Sequence, residues 1–319
     1  MAEFDRITLE NGIVGEPLRV PTANPTSYYQ AISKTDAVPA AEIRGTLFAP
    51  PGAGPWPVVI VVPGSLGVAP SHLYKADLLT AAGIATCVID PFGERGVTST
   101  VADQTQYSFA ASAWDVLAAA AVLGRRDDVV ATRIGAQGHS RGGSAVLSAA
   151  CMAQRMALPE AAPLQGVYAA YPWCGHQFLH PRVGDTVVRA VIGDRDEWCL
   201  PQQVQAQIQA MALCGGRASC RIFPGAQHSF DRDTPVEMIE EAAVAPGAPT
   251  VYLRDDGAFI HPLQDEADPS LTERELMIYG MKAGYGLRGA RIGSEPGQAD
   301  AFHEDMLEFW TAVFRDPNA

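Results

Sequence analysis

The sequence predicts an α/β fold, with a mostly parallel central sheet, helices on both faces and an insertion before the last helix. Apolar runs of strand length alternate with longer helical patterns from residue 58 to residue 223, and such alternation builds parallel strands joined by crossover helices. Val58-Val59-Ile60-Val61-Val62 is a continuous β-branched run, as expected of a strand buried on both faces. Gly138-His139-Ser140-Arg141-Gly142 lies between a short apolar run and the small-residue stretch from Gly142 to Met152, the setting of a sharp strand-to-helix turn.

Taken in order, Ile7 to Thr22 and Glu42 to Phe48 alternate enough to read as opening strands. A Pro/Gly turn cluster at residues 50–57 leads into the strand Val58 to Val62. A helix from Ser71 to Ala82 precedes a strand from Ile84 to Ile89. A helix from Ser108 to Gly124 precedes a strand from Arg133 to Gly138, and a helix from Gly142 to Ala157 precedes a strand from Gly166 to Ala170. The strand Thr186 to Ile192, the helix Pro201 to Leu213 and the strand Ser219 to Phe223 close the series. Residues 231–300 break the rhythm. There an acidic helix is expected around Val236 to Ala243 and a hairpin over residues 251–260, turning at Asp256-Gly257. A helix from about Leu271 to Ala283 follows, with Ser270-Leu271-Thr272-Glu273 as its capping box. The last helix, Ala301 to Phe314, places Phe302, Met306, Phe309, Trp310 and Val313 on one face.

At 319 residues and 47% hydrophobic composition, the chain reads as one domain, residues 1–319, with a substantial core. A net charge of −13 opposes nucleic-acid binding, which needs a basic footprint, and suits action on a small neutral molecule. No apolar run approaches the roughly 20 residues of a membrane span, and the first residues lack the basic-then-apolar plan of a signal peptide. No membrane partner and a cytoplasmic location are therefore expected. The six cysteines show no C-x-x-C spacing, which argues against zinc. Cys174 with Cys199, or Cys214 with Cys220, could meet as disulfides, although most of the six read as buried small hydrophobes.

Gly138 and Gly142 flank Ser140 at minus two and plus two, the pattern G-x-S-x-G of a nucleophile elbow. A strand that reverses into a helix within a few residues forces its central residue toward positive φ and leaves no room for side chains two positions away. A serine hydroxyl needs a base. His228, on the loop after the last strand of the alternating series, is the candidate; His139 should point away, and His176 and His180 suit a binding loop or the surface. His72, His261 and His303 read as surface or packing residues. The acid comes from Gly193-Asp194-Arg195-Asp196, with Asp196 favoured over Asp194. Oxyanion donors are the backbone N–H of Arg141 and that of Ser65, or else Leu66, in Pro63-Gly64-Ser65-Leu66-Gly67. Arg95 could contact a substrate carboxylate or tie down its own loop, and Trp173 and Trp198 could line a pocket or simply pack.

With these residues assembled, the chain resembles the α/β-hydrolase superfamily and, within it, the dienelactone hydrolase-like family. The resemblance rests on residues 43–50, 62–67, 90–96, 138–142, 193–196 and 223–230, and resumes in the terminal helix. It implies the α/β-hydrolase fold and a Ser140–His228–Asp196 triad, the G-x-x-D pattern at Gly193 marking Asp196. It also implies ester hydrolysis without metal or organic cofactor. Dienelactone hydrolases carry cysteine where this chain has Ser140, so a general carboxylesterase is expected. Many relatives have histidine where this chain has Pro63 before Gly64, and they pass almost directly from the histidine to the last helix. Here 231–300 intervenes as a lid or pocket wall, or as a surface lobe or homodimer contact. Acyl transfer on the same triad and non-catalytic binding on the same fold are the alternatives.

Overall fold

The computed structural model describes residues 6–156 and 164–315. An eight-stranded sheet runs in the spatial order β1 (Glu16–Ala23), β2 (Ala40–Phe48), β4 (Ala85–Asp90), β3 (Trp56–Val62), β5 (Val129–His139), β6 (Leu164–Ala170), β8 (Val187–Gly193) and β9 (Ala218–Phe223). β1, β2 and β4 pair antiparallel; from β4 through β9 every pairing is parallel. A second sheet joins β7 (His176–Phe178) to β11 (Val251–Leu253), β12 (Phe259–Ile260) and β13 (Ala267–Asp268), while β10 (Glu237–Val244) pairs with β14 (Leu287–Ile292). The helices are α1 (Tyr28–Ser33), α2 (Pro70–Ala81), α3 (Phe109–Leu123), α4 (Arg141–Ala153), α5 (Pro201–Leu213), α6 (Glu273–Lys282) and α7 (Gln298–Arg315).

β3 lies at the centre because its β-branched residues fill both interlayer spaces, and Val58 through Val61 are wholly buried. β5, its neighbour, alternates between the two layers. Gly135 and Gln137 face α7: a Cβ on Gly135 would meet the Trp310 ring at 2.2 Å, and Trp310 Nε1 donates to Gln137 Oε1 at 2.8 Å. On the opposite layer α4 packs against the sheet and α3. Its small residues set the approach, since a Cβ on Gly143 would lie 2.8 Å from the Ala170 carbonyl. The apolar stripe of α7, from Phe302 to Val313, is buried.

The structure differs from the sequence expectations in particular places. Residues 7–15 form a tight turn closed by Leu9 and Ile13, with Gly12 at φ 85°, so β1 begins only at Glu16. The acidic helix expected over 236–243 is strand β10. Its Glu and Ala residues are good helix formers, but register with β14 buries Ala242, Val244, Ala290 and Ile292, and tertiary pairing overrides propensity. α6 is capped by Thr272 and Glu275, not Ser270 and Glu273: Thr272 Oγ1 accepts from Glu275 N and Glu275 Oε2 accepts from Thr272 N. The hairpin turning at Asp256-Gly257 is present as β11–β12. α4 ends at Ala153, and the expected end at Ala157 lies outside the described residues. Among the described residues no helix is long and apolar enough to cross a membrane.

Candidate active site

Ser140 occupies the turn between β5 and α4 with φ 54° and ψ −115°, a strained conformation for a non-glycine residue. The flanking glycines are required by space. A Cβ on Gly138 would lie 1.9 Å from the Gly142 carbonyl oxygen, and one on Gly142 would lie 2.3 Å from that of Val62. Ser140 N donates to the Ala170 carbonyl at 2.9 Å, which ties the turn to the end of β6.

The loops after β8 and β9 bring two side chains to the hydroxyl. His228 Nε2 lies 2.9 Å from Ser140 Oγ, and His228 Nδ1 lies 2.7 Å from Asp196 Oδ2. A carboxylate only accepts, so Nδ1 carries the proton and Nε2 presents its lone pair to the serine O–H. Asp196 is itself oriented, its Oδ1 accepting from the Trp198 and Cys199 amides at 2.8 Å each. The imidazole has Trp198 stacked at 5.1 Å and 13° and the Tyr171 ring edge-on at 4.7 Å. Asp194 plays a different part: its Oδ1 accepts from Gly225 N at 2.7 Å, bracing the acid loop against the histidine loop.

The Pro63–Gly67 loop abuts the serine, since a Cβ on Gly64 would lie 3.2 Å from Ser140 Cβ. Ser65 and Arg141 line the same cavity as Ser140. The Ser65 carbonyl accepts from Thr100 N at 2.8 Å and its Oγ accepts from Gln104 Nε2 at 2.9 Å, so the loop is held on two sides. The Arg141 guanidinium turns away from the serine to Gln104 and Tyr107 and lies 4.0 Å over the Phe109 ring. Leu66 is exposed at the edge of a small notch that also holds His228.

Trp173 and Trp198 both line the main cavity. Arg95 does not. Its guanidinium is held by Asp115 at 2.6 and 2.9 Å, by Asn24 and by the Pro91 carbonyl, so of its two expected roles it takes the structural one, tying β1, α3 and its own loop together. His180 is exposed beside Asp255, whereas His72 is buried against His139. All six cysteines are free thiols and four are buried, so neither possible disulfide forms. Potential ligand atoms of Asp196, Cys199 and His228 lie within 4.8 Å of one another. Both histidine nitrogens are already engaged, and burial holds the Cys199 thiol well above its ordinary pKa, so these residues fit hydrogen-bonded neighbours better than a metal centre.

Two contributors escaped the sequence reading. β14 clamps the site from the insertion: Trp198 Nε1 donates to the Arg291 carbonyl at 2.9 Å, and Gly293 N donates to the His228 carbonyl at 2.9 Å. Behind His228 lies a buried polar cluster. Lys75 Nζ meets Asp231 Oδ2 at 2.5 Å, Asp231 Oδ1 accepts from the Tyr171 hydroxyl at 2.6 Å, and that hydroxyl lies 3.1 Å from His139 Nδ1. Burial pushes His139 down to about 4 despite Asp231 beside it. For Asp231, burial opposes ionisation, but the charges and hydrogen bonds of Lys75 and His139 together outweigh it and hold the carboxyl well below its usual range. A single lysine in an otherwise mixed helix pattern carries no sign of this role.

Against known proteins, the family model "Dienelactone hydrolase family" matches residues 43–250, well over half of the chain. The chain belongs to the dienelactone hydrolase family. Solved structures of low sequence identity are similar to it. A dienelactone hydrolase-like promiscuous phosphotriesterase from metagenomic libraries is 13% identical with a TM-score of 0.53, over 94% of this chain and 99% of that one. A dienelactone hydrolase from Anabaena variabilis is 21% identical with a TM-score of 0.47, over 67% and 88%. A thermophilic esterase from Thermogutta terrifontis is 16% identical with a TM-score of 0.47, over 64% and 84%. No curated protein matches in sequence. Family membership makes this chain a hydrolase-family protein on the α/β-hydrolase fold; the matched stretch includes β10 and ends just before β11, so β11 to β14 follow it.

Proposed function

We propose that this protein is a serine hydrolase cleaving carboxylic esters, or lactones, of small molecules through an acyl-enzyme. The observation that carries the reading is the continuous relay Asp196–His228–Ser140, with contacts of 2.7 and 2.9 Å, opening into a cavity. In the first half-reaction Ser140 Oγ bonds to the ester carbonyl carbon while His228 Nε2 takes the hydroxyl proton. The carbonyl electron pair moves onto oxygen, where the Ser65 and Arg141 amides receive it; one such donor is worth about 10²–10³ in rate. As the carbonyl reforms, the carbon–alkoxy bond breaks and His228 passes its proton to the departing alcohol. Water then repeats the sequence and frees Ser140. Asp196 keeps Nδ1 protonated and balances the imidazolium, without itself taking the proton.

The insertion serves as a wall of the substrate pocket in this reading. Ala243 to Ala245, Ala248, Pro249 and Val251, the α6 residues from Leu276 to Met281 other than Ile278, and Tyr285 and Arg288 line the same cavity as Ser140. The test is hydrolysis of p-nitrophenyl esters of increasing chain length by the wild-type chain and by Ser140→Ala, together with labelling by a fluorophosphonate. Turnover and labelling that vanish together in the variant support the proposal; turnover that survives the substitution would refute it.

A further inference from the structure

Two cavities meet at one partition. The chamber in front of Ser140 encloses about 430 Å³, within the range of roughly 300–1,000 Å³ that takes whole small molecules, and Phe109, Trp173, Val244 and Leu276 are among its apolar walls. Beside it lies a groove of about 620 Å³, walled by Pro25, Thr26, Ala41, Val97, Tyr107 and Ala111 among others. Gln104, Thr105 and Met277 line both the chamber and the groove.

These three residues differ in their freedom to move. Gln104 Nε2 donates to Ser65 Oγ at 2.9 Å, and Gln104 Oε1 accepts from Arg141 Nη1 at 3.0 Å. Thr105 N and Oγ1 donate to Asp103 Oδ1 at 2.8 and 2.7 Å. Displacing either side chain breaks hydrogen bonds. Met277 is a half-buried apolar side chain of α6 packed against the core. Its unbranched thioether turns about three bonds and refills a gap whose shape has changed, so the partition opens at least cost there.

Which half of the ester enters the chamber follows from the proton path. His228 lines a notch shared with Ser140, and the edge of that notch carries the exposed Leu66. The departing oxygen must take its proton from Nε2, so the alkoxy group faces the notch and the acyl arm runs into the chamber. Each methylene of an apolar arm gains from leaving water, and past Met277 the groove offers a longer arm a second stretch of wall. Resting on the serine-hydrolase reading, we infer that Met277 is a gate that lets acyl arms too long for the chamber pass into the groove. It is then a specificity-determining residue, and long-chain acyl esters are the substrate class.

The test measures kcat/KM of the full chain on p-nitrophenyl butanoate and p-nitrophenyl dodecanoate. Met277→Ala, which leaves the partition open, should raise the dodecanoyl-to-butanoyl ratio by about five- to tenfold. Thr26→Trp, at an exposed position that lines the groove and not the chamber, should lower that ratio by a similar factor. A crystal structure of the protein labelled at Ser140 with methyl dodecylfluorophosphonate, whose carbon-bound chain stands in for the acyl arm, should show that chain passing Met277 into the groove. A chain that stays in the chamber, a ratio that Met277→Ala does not raise, or one that Thr26→Trp does not lower would overturn the inference. If neither ester is cleaved and the fluorophosphonate fails to label Ser140, the hydrolase reading itself fails; labelling with the chain confined to the chamber defeats the gate alone.

Discussion

The sheet edge that carries Ser140, Asp196 and His228 and the insertion that faces it across the cavity are held by different forces. At the sheet edge, position is set by steric exclusion and short hydrogen bonds: glycines that admit no Cβ at 138, 142 and 193, and a relay whose members each have a defined partner. The insertion is held by a few specific attachments. β11 adds to β7, β14 clamps the loops after β8 and β9, and Glu273 of α6 accepts from the Phe109 and Ala110 amides at the start of α3. On the proposed function the difference is a division of labour, in which the rigid edge would perform the reaction and a separately anchored wall would decide what reaches it.

The largest effect should come from the edge. Ser140→Ala should lower kcat by about 10⁴–10⁶-fold, and by the same factor for short and long acyl esters, because it removes chemistry and leaves the wall in place. A loss that grew with acyl length would mean the two regions are not separable. Next in size is the support behind His228. Lys75→Met leaves Asp231 buried without its cation and should cost about 3–5 kcal/mol in denaturant unfolding. A loss below about 1 kcal/mol would show that water or Arg232 replaces the lysine at little cost.

The attachment of the wall is predicted to be pH-dependent. Burial raises the Glu273 carboxyl from its ordinary 4.5 to about 7, although the Phe109 and Ala110 amides favour the ionised form. The folded state therefore holds this proton more tightly than the unfolded chain. Its contribution is full below about pH 4.5 and is lost as pH rises toward 7, amounting to about 3 kcal/mol. Melting temperature measured from pH 4.5 to 8 should fall more steeply for the wild type than for Glu273→Gln; parallel curves would contradict the raised value. The smallest effect concerns selectivity. Met277→Trp narrows the chamber from the α6 side and should reduce kcat/KM by about 10–100-fold for long acyl arms while leaving acetyl esters within a few-fold. Equal losses for both would place Met277 outside the acyl path.

Much of this is legible in the sequence. The serine turn, the alternating strands and helices and the terminal helix each rest on local sterics or periodicity, which a single chain displays. The preference for Asp196 over Asp194 followed a spacing, and the structure adds the reason: Asp194 is spent on Gly225. The role of Arg95 was open, because an arginine's partner on another element is invisible to local pattern; Asp115 settles it. The residues of β10 predict a helix, since Glu and Ala favour helix locally and only the distant β14 makes the extended form favourable. The local pattern places Glu273 in its own helix cap, yet its carboxylate reaches a different helix.

By itself, then, the chain's order of residues determined where the backbone must turn sharply, which runs must be buried and which three groups lie at strand ends, because these follow from steric limits and hydrophobic burial acting over short stretches. Only the tertiary structure decided which carboxylate serves which partner, how the insertion closes over the cavity and which charges are already neutralised. Those outcomes depend on contacts between segments far apart in the chain, whose free energy no local window contains.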